Sequence, residues 1–270
     1  MSSNDARFVG SIPENYDRYL GPMLFEPYAA DLVGRLQIPA GGRVLEIACG
    51  TGIVTRRLRA HFRPDVSLTA TDLNAPMVEY ARQALDHGAA VEWRTADALA
   101  LPFSDGEFDA VVCQFGLMFV PDKPTAFREA RRVLRPGGII AFNVWARLAD
   151  NPLGLIANAV ITNFFPVDPP TFYQTPFGLD DQPLLRQLLS DAGFRIEQEE
   201  RVTLVAQSPA AEDAARGLVV GNPILLAIQE RGTMPPERIV AALATELARA
   251  GGTRPLRLPM SALVFVARAV

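Results

Sequence analysis

Apolar residues in the first half of the chain occur in short blocks that alternate with segments of helical spacing. The blocks fit buried strands, and they lie at residues 44–47, 66–71, 91–97 and 108–115, with a fifth block that runs up to residue 145. Between them, apolar positions recur every three or four residues, as in Ile53–Arg59 and in the N-terminal stretch Pro27–Leu36. This alternation predicts an α/β chain whose parallel sheet is covered by helices on both faces.

The pattern changes after residue 146. Residues 147–182 combine five prolines with five aromatic side chains, so regular structure is interrupted where many rings need burial. Helical spacing returns at 183–192, a strand follows at 194–206, and an apolar run at 260–270 predicts a last strand. We therefore divide the chain into an N-terminal helical arm or lid (1–40), a core (41–146), an aromatic lid insert (147–182), and a C-terminal part of the core (183–270) with a helical insertion at 208–252.

A glycine turn follows the first predicted strand. Gly50-Thr51-Gly52 separates that strand from a helical segment, an arrangement that brings backbone N–H groups close to a nucleotide-like ligand. Twenty residues beyond Gly52, the second strand delivers Asp72, whose carboxylate can accept both hydroxyls of a ribose. A dinucleotide fingerprint requires a third glycine where this chain has Thr55, so a nicotinamide cofactor is disfavoured. The spacing predicts a cofactor that contains a nucleoside.

Five motifs between residues 43 and 145 carry a resemblance to a known family. In chain order they are Glu46-Ile47-Ala48-Cys49-Gly50-Thr51-Gly52; Asp72-Leu73-Asn74-Ala75-Pro76-Met77; the strand that ends at Asp97; Leu101-Pro102-Phe103 with the strand 108–115; and the helix, breaker and strand that begin at Phe127 and pass through Gly137-Gly138. Together they resemble the class I S-adenosylmethionine (SAM) dependent methyltransferases. At the core, the chain is similar to the ubiquinone and menaquinone biosynthesis methyltransferases of that family.

The resemblance implies a Rossmann-like, doubly wound and mostly parallel seven-stranded sheet, with an antiparallel last strand and a helical and aromatic lid insert. It also implies SAM as the cofactor and residues 41–146 as the core that binds it. The implied contacts are Glu46, Ala48, Gly50 and Gly52 for the methionine part, Asp72 for the ribose, Leu73, Met77, Asp97 and Ala98 for the adenine, and Gln114 and Phe115 for the reactive methyl. Plain helix core is the alternative for Leu73 and Met77, and a turn cap is the alternative for Asp97.

Tyr16 is a further implied contact. It precedes the core, as a lid tyrosine does in many small-molecule methyltransferases, and its hydroxyl would bond the SAM carboxylate. The alternative role for this ring is to anchor the N-terminal arm.

Composition excludes several function classes. The net charge of −4 argues against a nucleic-acid partner, and no apolar run approaches the roughly 18 residues that a membrane span needs. Two cysteines and an N-terminus without the apolar core of a signal peptide predict a cytoplasmic protein. Lys123 is the only lysine, which disfavours Schiff-base chemistry, and His61 and His87 lack the spacing of metal ligands.

The composition of the lid insert indicates the chemical class of the second substrate, the methyl acceptor. Its aromatic and aliphatic side chains favour a small apolar or aromatic methyl acceptor, such as a quinone, a polyketide or a lipid-like molecule. No histidine lies near the motifs. Candidate bases such as Asp150, Asp168 and Tyr173 lie in the insert, and nothing in the sequence favours any of them, so the catalytic residues are left unassigned. An acceptor that is already nucleophilic therefore fits better than an unactivated alcohol.

Other functions and roles stay open at this point. A cyclase or lyase that uses the sulfonium electrostatically, a nicotinamide-dependent oxidoreductase and a non-enzymatic SAM-binding regulator are the alternatives to methyl transfer. For residues 208–252 a homodimer contact, lid support and substrate access are the three roles considered.

Overall fold

A computed structural model of the chain describes residues 6–85 and 90–270. The strands are β1 (Arg43–Ile47), β2 (Ser67–Asp72), β3 (Val91–Thr95), β4 (Phe108–Gln114), β5 (Leu134–Trp145), β6 (Phe194–Ser208) and β7 (Leu256–Ala269). In the described ranges they form one seven-stranded sheet in the order β3-β2-β1-β4-β5-β7-β6. Neighbours among β1 to β5 pair in parallel, whereas β7 runs antiparallel to both β5 and β6. The predicted doubly wound sheet with an antiparallel last strand is confirmed.

Helices cover both faces of this sheet. In chain order they are α1 (Ile12–Asn15), a π-helix (Tyr16–Phe25), α2 (Glu26–Gly34), α3 (Ile53–His61), α4 (Ala75–Ala84), α5 (Lys123–Val133), α6 (Pro152–Phe164), α7 (Gln182–Asp191), α8 (Ala211–Val220), α9 (Ile224–Arg231) and α10 (Pro236–Gly251). Short 3₁₀ turns lie at Leu117–Phe119, Leu148–Asp150 and Phe172–Gln174.

The central strands are apolar because they are buried from both sides. Val44, Leu45 and Ile47 of β1 are fully enclosed, and every residue of β4 except its last is buried. Strands of this kind read as continuous apolar runs rather than as alternating ones. The apolar blocks of the sequence therefore place β1, β2 and β4 close to their observed positions.

The N-terminal arm contains a helix of unusual geometry. Residues Tyr16–Phe25 form a π-helix with Pro22 inside it, and the N–H of Glu26 bonds the carbonyl of Gly21 five residues earlier. Helices of this type are rare and occur often at functional sites. The helix packs against α8 and β6, so the arm and the C-terminal helical insertion lie side by side.

The C-terminal elements differ from the predicted boundaries at two points. Strand β6 continues to Ser208, because that residue pairs with Leu256 of β7, and α8 begins only at Ala211. For the same reason β7 begins at Leu256, four residues before the predicted start at Met260. The helices α8 and α10 pack on one another and on α6, which also contacts β7.

One buried tyrosine ties the N-terminal arm to the sheet. The Tyr28 hydroxyl lies 3.0 Å from the carbonyl oxygens of both Val202 and Met260, on β6 and β7. None of the helices within 6–85 and 90–270 has the length and apolar character to cross a membrane.

Candidate functional site

A deep pocket lies along the carboxyl edge of the parallel strands. Residues that end or follow β1, β2, β3, β4 and β5 all line it, and it encloses about 1390 Å³ of open space including its mouth. The sheet runs outward from β1 to β2 and β3 on one side and from β4 to β5 on the other, so the strand order reverses between the parallel neighbours β1 and β4. Open α/β sheets bind ligands at this topological switch point.

The glycine turn after β1 forms one wall of the pocket. Ala48, Gly50 and Gly52 have φ values of 54°, 55° and 80°, in the left-handed region that glycine adopts without cost. Ala48 and Gly50 line the pocket, whereas a Cβ at Gly52 would lie 3.0 Å from the Cβ of Ala81 on α4. Gly52 therefore serves helix packing behind the turn, and Gly50 presents bare backbone to the pocket.

Asp72 holds the turn in place and faces the pocket. Its Oδ2 accepts a hydrogen bond from the N–H of Gly50 at 2.9 Å, and its Oδ1 accepts one from the N–H of Asn74 at 2.8 Å. Burial raises the pKa of this carboxyl, and the backbone N–H donors offset part of the rise. Asn74 precedes α4 as its N-cap, but its Oδ1 accepts from the N–H of Phe8 instead of capping the helix.

The residues predicted to hold an adenine lie around this end of the pocket. Leu73 is 58% exposed and Met77 is buried, and both line the pocket from the start of α4. Asp97 and Ala98 line it from the turn after β3, where Asp97 Oδ1 accepts the N–H of Leu99 at 2.9 Å. Asp97 thus serves as a turn cap and still presents its second carboxylate oxygen.

Glu46 lies behind the turn and does not line the pocket. Side chains on a strand alternate between faces, so Ile47 faces the pocket while Glu46 points toward α3. The hydroxyl of Thr55 donates a hydrogen bond of 2.6 Å to Glu46 Oε2. Burial raises the pKa of Glu46 to about 8, and the charge of Asp72 adds to the rise.

Gln114 and Phe115 form the middle of the pocket at the end of β4. Gln114 Nε2 donates to the carbonyl of Phe25 on the π-helix at 3.1 Å, which joins sheet and arm. Phe115 has a φ of 49° and stacks on Trp145 at the end of β5, with ring centroids 4.0 Å apart. The strained backbone at Phe115 turns its ring from the sheet into the pocket.

Tyr16 reaches the same region from the π-helix. Its ring stacks on Phe25 at 4.6 Å, and burial together with the charges of Asp72 and Asp17 raises the pKa of its hydroxyl. Asp17 in turn accepts a hydrogen bond of 3.0 Å from Arg56 of α3. Tyr16 is therefore both an anchor of the arm and a pocket-lining side chain.

The far end of the pocket is built by the two C-terminal insertions. Its walls come from α6, from the lid insert, from α8 with the turn after it, and from the start of β7. The residues are Leu153, Gly154, Phe172, Tyr173, Pro176, Phe177, Leu218, Asn222, Pro259 and Met260. Leu218, Asn222 and Met260 were not predicted, because their place depends on how α8 and β7 pack on the rest of the chain. Residues 208–252 thus contribute directly to the pocket.

The proposed bases behave differently from one another. Asp150 pairs with Arg147 and Arg201, which lowers the pKa of its carboxyl, and it does not line the pocket. Asp168 pairs with Arg231 at 3.0 Å and lies outside the pocket as well. Neither carboxylate lines the pocket, because local arginines hold both of them outside it. Tyr173 does line the pocket.

The residues that the structure describes contain no arrangement of side chains suited to a metal ion. No group of three or more His, Cys, Asp or Glu side chains within them is arranged to hold an ion. His61 packs against Phe62 and does not line the pocket, and His87 lies outside the described residues.

Comparison with known proteins gives matches along most of the chain. A family model described as a methyltransferase domain matches residues 44–138. The UbiE protein of Hahella chejuensis, named a ubiquinone/menaquinone biosynthesis C-methyltransferase, is 39% identical over 145 residues, which cover 50% of this chain and 57% of that protein. The protein of the same name from Ectopseudomonas mendocina is 32% identical over 193 residues, with 67% of this chain and 72% of that protein covered.

Two solved structures share the fold. A SAM-dependent methyltransferase from Methanosarcina mazei superimposes with a TM-score of 0.54 at 19% identity, covering 88% of this chain and 95% of that one. The [4+2]-cyclase SpnF superimposes with a TM-score of 0.57 at 20% identity, covering 90% and 80%. At these identities the likeness concerns the fold alone.

Proposed function

This chain belongs to the class I SAM-dependent methyltransferase family, whose cofactor is SAM, and from that premise we propose that it methylates a small apolar or aromatic acceptor. The observation that carries the proposal is that one continuous pocket joins a polar end at Asp72 and Asp97 to an aromatic end at Trp145 and Phe177. One end suits a nucleoside, and the other suits a ring or an aliphatic group without charge.

The residues at the polar end fit SAM. Asp72 is 7% exposed. Its Oδ1 accepts both the N–H and the side-chain amide of Asn74, whereas its Oδ2 accepts the N–H of Gly50 and keeps a lone pair for a ribose hydroxyl. Leu73 and Met77 would cover the faces of the adenine, and Asp97 with the N–H of Ala98 would bond its edge. When bound, SAM supplies a methyl group carried on a sulfonium sulfur. The rest of the cofactor is the leaving group, and it departs as a neutral thioether.

The methionine part would lie against the turn of Ala48 and Gly50, with the hydroxyl of Tyr16 on its carboxylate. Glu46 would attract the ammonium of the methionine part from behind the turn, either by its charge across the turn or through a bridging water. An ammonium beside Glu46 favours its charged form, so we expect cofactor binding to lower the raised pKa of this carboxyl. Gln114 and Phe115 would border the reacting methyl from the end of β4.

The aromatic end supplies orientation and excludes water. Rigid aromatic walls hold an acceptor in line with the methyl donor, and orientation of this kind contributes up to ~7–11 kcal/mol to lowering a barrier. Among the lining residues of the described ranges, the carboxyl groups are Asp72 and Asp97, both at the polar end. Tyr16 and Tyr173 have raised pKa values because they are buried, so neither serves as a base near neutral pH.

The acceptor class follows from this distribution of charge. A cationic amine would lose its hydration without gaining a carboxylate, and an unactivated alcohol would find no base. An acidic hydroxyl that ionises in water before it binds needs neither, and the same holds for a ring carbon made nucleophilic by such an ionised hydroxyl. Where that carbon takes the methyl, its ring proton is lost to water after the transfer. The quinone-related names of the similar proteins support a ring of this type as the acceptor.

The test is the formation of S-adenosylhomocysteine from SAM with a panel of hydroxylated aromatic acceptors, and with aliphatic amines for comparison. We expect turnover with members of the first group alone, with methylated product in equal amount. Isomerisation of an acceptor without S-adenosylhomocysteine would favour a cyclase, and turnover of amines alone would overturn the acceptor class.

A further inference from the structure

A fully buried amide lies behind the pocket wall and has no part in the function proposed above. Asn143 belongs to β5, between the apolar residues Phe142 and Val144, and its exposed fraction is 0%. It does not line the pocket, so it touches neither substrate. Burial of an amide costs free energy unless hydrogen bonds compensate, and an apolar side chain would fill the same place without that cost. The bonds that Asn143 makes therefore indicate its role.

The side-chain oxygen of Asn143 holds a strained residue of the pocket wall. Its Oδ1 accepts a hydrogen bond of 3.0 Å from the N–H of Phe115, and its backbone oxygen lies 3.1 Å from the same nitrogen. Phe115 follows β4 with a φ of 49°, a conformation that costs free energy in a residue with a side chain. Two acceptors on one N–H offset that cost and fix the direction in which the Phe115 ring leaves the strand.

The side-chain nitrogen of Asn143 acts on the residue before Phe115. Because Oδ1 bonds an N–H donor, the orientation of the amide is determined, and Nδ2 faces Gln114. Nδ2 donates a long hydrogen bond of 3.5 Å to Gln114 Oε1, and Gln114 Nε2 donates one of 3.1 Å to the carbonyl of Phe25. With its oxygen directed to Asn143, the Gln114 amide presents its N–H groups to the arm.

The bonds of Asn143 converge on one cluster of rings. Phe115 stacks on Trp145 with centroids 4.0 Å apart, and Phe25 tilts against both rings at 5.8 and 6.3 Å. Trp145 lies two residues beyond Asn143 on the same face of β5, since side chains alternate along a strand. All three rings line the pocket. One buried amide therefore connects the elements that place them.

We propose that Asn143 is a positioning residue for methyl transfer, which holds Phe115 and Gln114 so that the acceptor ring is aligned with the methyl donor. This inference rests on the proposed function and assigns the alignment to a residue that touches neither substrate. Loss of the amide would let Phe115 relax toward a negative φ and withdraw its ring from Trp145. A misplacement of about 1 Å can lower a rate by ~10²-fold, even when its origin is far from the chemistry.

The first test follows Trp145 directly. The chain has two tryptophans, so replacement of Trp93, which does not line the pocket, by phenylalanine leaves Trp145 as the only indole emitter. We expect Trp145 to be protected from acrylamide quenching in that background, because it is 6% exposed and stacked on Phe115. Asn143→Leu should increase the quenching severalfold, and Asn143→Ala, which adds no bulk, should do so if leucine prevents folding. Asn143→Asp keeps an oxygen acceptor for the Phe115 N–H and should restore most of the protection.

The second test measures methylation of 2-naphthol, a hydroxylated aromatic acceptor, by the same variants with Trp93 retained. We expect Asn143→Leu to lower kcat by ~10–10²-fold, because the acceptor is misaligned. KM for SAM and the dissociation constant of S-adenosylhomocysteine should stay within about threefold of the wild type. Asn143→Asp should recover part of the rate. A general loss of structure would instead weaken cofactor binding together with the rate.

Val144→Ala is the matched control. Val144 is the next residue of β5, it is as fully buried as Asn143, and its side chain points to the opposite face of the sheet. We expect this substitution to lower the thermal midpoint, as the Asn143 substitutions do, and to leave both kcat and the quenching of Trp145 unchanged.

The outcomes separate the two proposals. Equal quenching of Trp145 in the wild type and in the Asn143 variants refutes the positioning role, and so does an equal loss of kcat in Val144→Ala. Increased quenching with an unchanged kcat refutes it as well, because the rings then move without effect on methyl transfer. If the quenching changes as expected but the wild type methylates no aromatic acceptor, the placement of the rings by Asn143 stands and the proposed function fails.

Discussion

Replacement of Asp72 by alanine perturbs the site at its most constrained point. The carboxylate accepts backbone hydrogen bonds of 2.9 and 2.8 Å and one of 3.2 Å from the Asn74 amide, and its Oδ2 would accept one more from the ribose. A hydrogen bond to a charged group contributes about 1.5–3 kcal/mol, so loss of the ligand bond costs about that amount. This corresponds to a ~10–10²-fold larger dissociation constant for S-adenosylhomocysteine.

Calorimetry with S-adenosylhomocysteine and with its 2′-deoxy analogue separates the ribose contact from damage to the turn. The wild type should bind the deoxy analogue more weakly, and this difference should vanish in Asp72→Ala. Asp65→Ala is the matched control, because Asp65 also accepts a backbone N–H, that of Gly41, but lies away from the pocket. The reasoning is refuted if Asp72→Ala binds S-adenosylhomocysteine within about threefold of the wild type, or if the penalty for the deoxy analogue persists in it.

Three further predictions concern one residue that lines the pocket and two that lie outside it. Folding raises the pKa of Glu46 from 4.5 to about 8, so the native state binds this proton more tightly than the unfolded chain. The free energy of unfolding should therefore fall by about 3–5 kcal/mol as the pH rises from 4.5 to 8. Urea unfolding of Glu46→Gln should show a pH dependence that is smaller by this amount. A Cβ at Gly154 would lie 2.7 Å from the ring of Phe177 in the lid insert. Gly154→Ala should therefore weaken the binding of 2-naphthol, an aromatic acceptor probe, more than that of S-adenosylhomocysteine, and it should cost about 1–3 kcal/mol of stability. Gly34→Ala is the neutral control, because a Cβ there would meet nothing within 4 Å. Arg231 bonds Asp168 through the carbonyl at 2.7 Å and the carboxylate at 3.0 Å, so Arg231→Ala should speed amide exchange at residues 165–171 while the free energy of unfolding changes by less than ~1 kcal/mol.

Each of these has a contradicting result. If the free energy of unfolding changes with pH as steeply in Glu46→Gln as in the wild type, the pKa of this carboxyl is not raised by folding. Equal effects of Gly154→Ala and Gly34→Ala on acceptor binding would mean that the ring accommodates the methyl without entering the pocket. Unchanged amide exchange in Arg231→Ala would show that other contacts hold the lid.

The sheet was predictable because burial dictates its sequence. Strands enclosed on both faces must be apolar, and the turn between β1 and α3 needs glycine where φ is positive, so both features are visible in the residues. Asp72 follows from the same logic, since the end of β2 lies beside the end of β1 in a parallel pair. The predicted fold and family were confirmed on these grounds.

The rest of the pocket depends on packing between distant segments. Nothing in the spacing around Pro22 signals a π-helix, whose bonds run one residue further than those of an α-helix. Leu218 and Met260 look like ordinary core positions in sequence, and only the docking of α8 and β7 brings them to the pocket. Glu46 was predicted at the ligand, but the alternation of β1 directs it toward Thr55. Its contact with the ligand stays a prediction.

The most direct test of the central claim is a time course of purified protein with SAM and a hydroxylated naphthalene, followed by mass spectrometry of both products. The account predicts S-adenosylhomocysteine and a singly methylated acceptor in equal amounts, and a lower rate of both for Asp72→Ala at a SAM concentration that does not saturate the variant. Binding of S-adenosylhomocysteine without methylation of any apolar aromatic acceptor would contradict it.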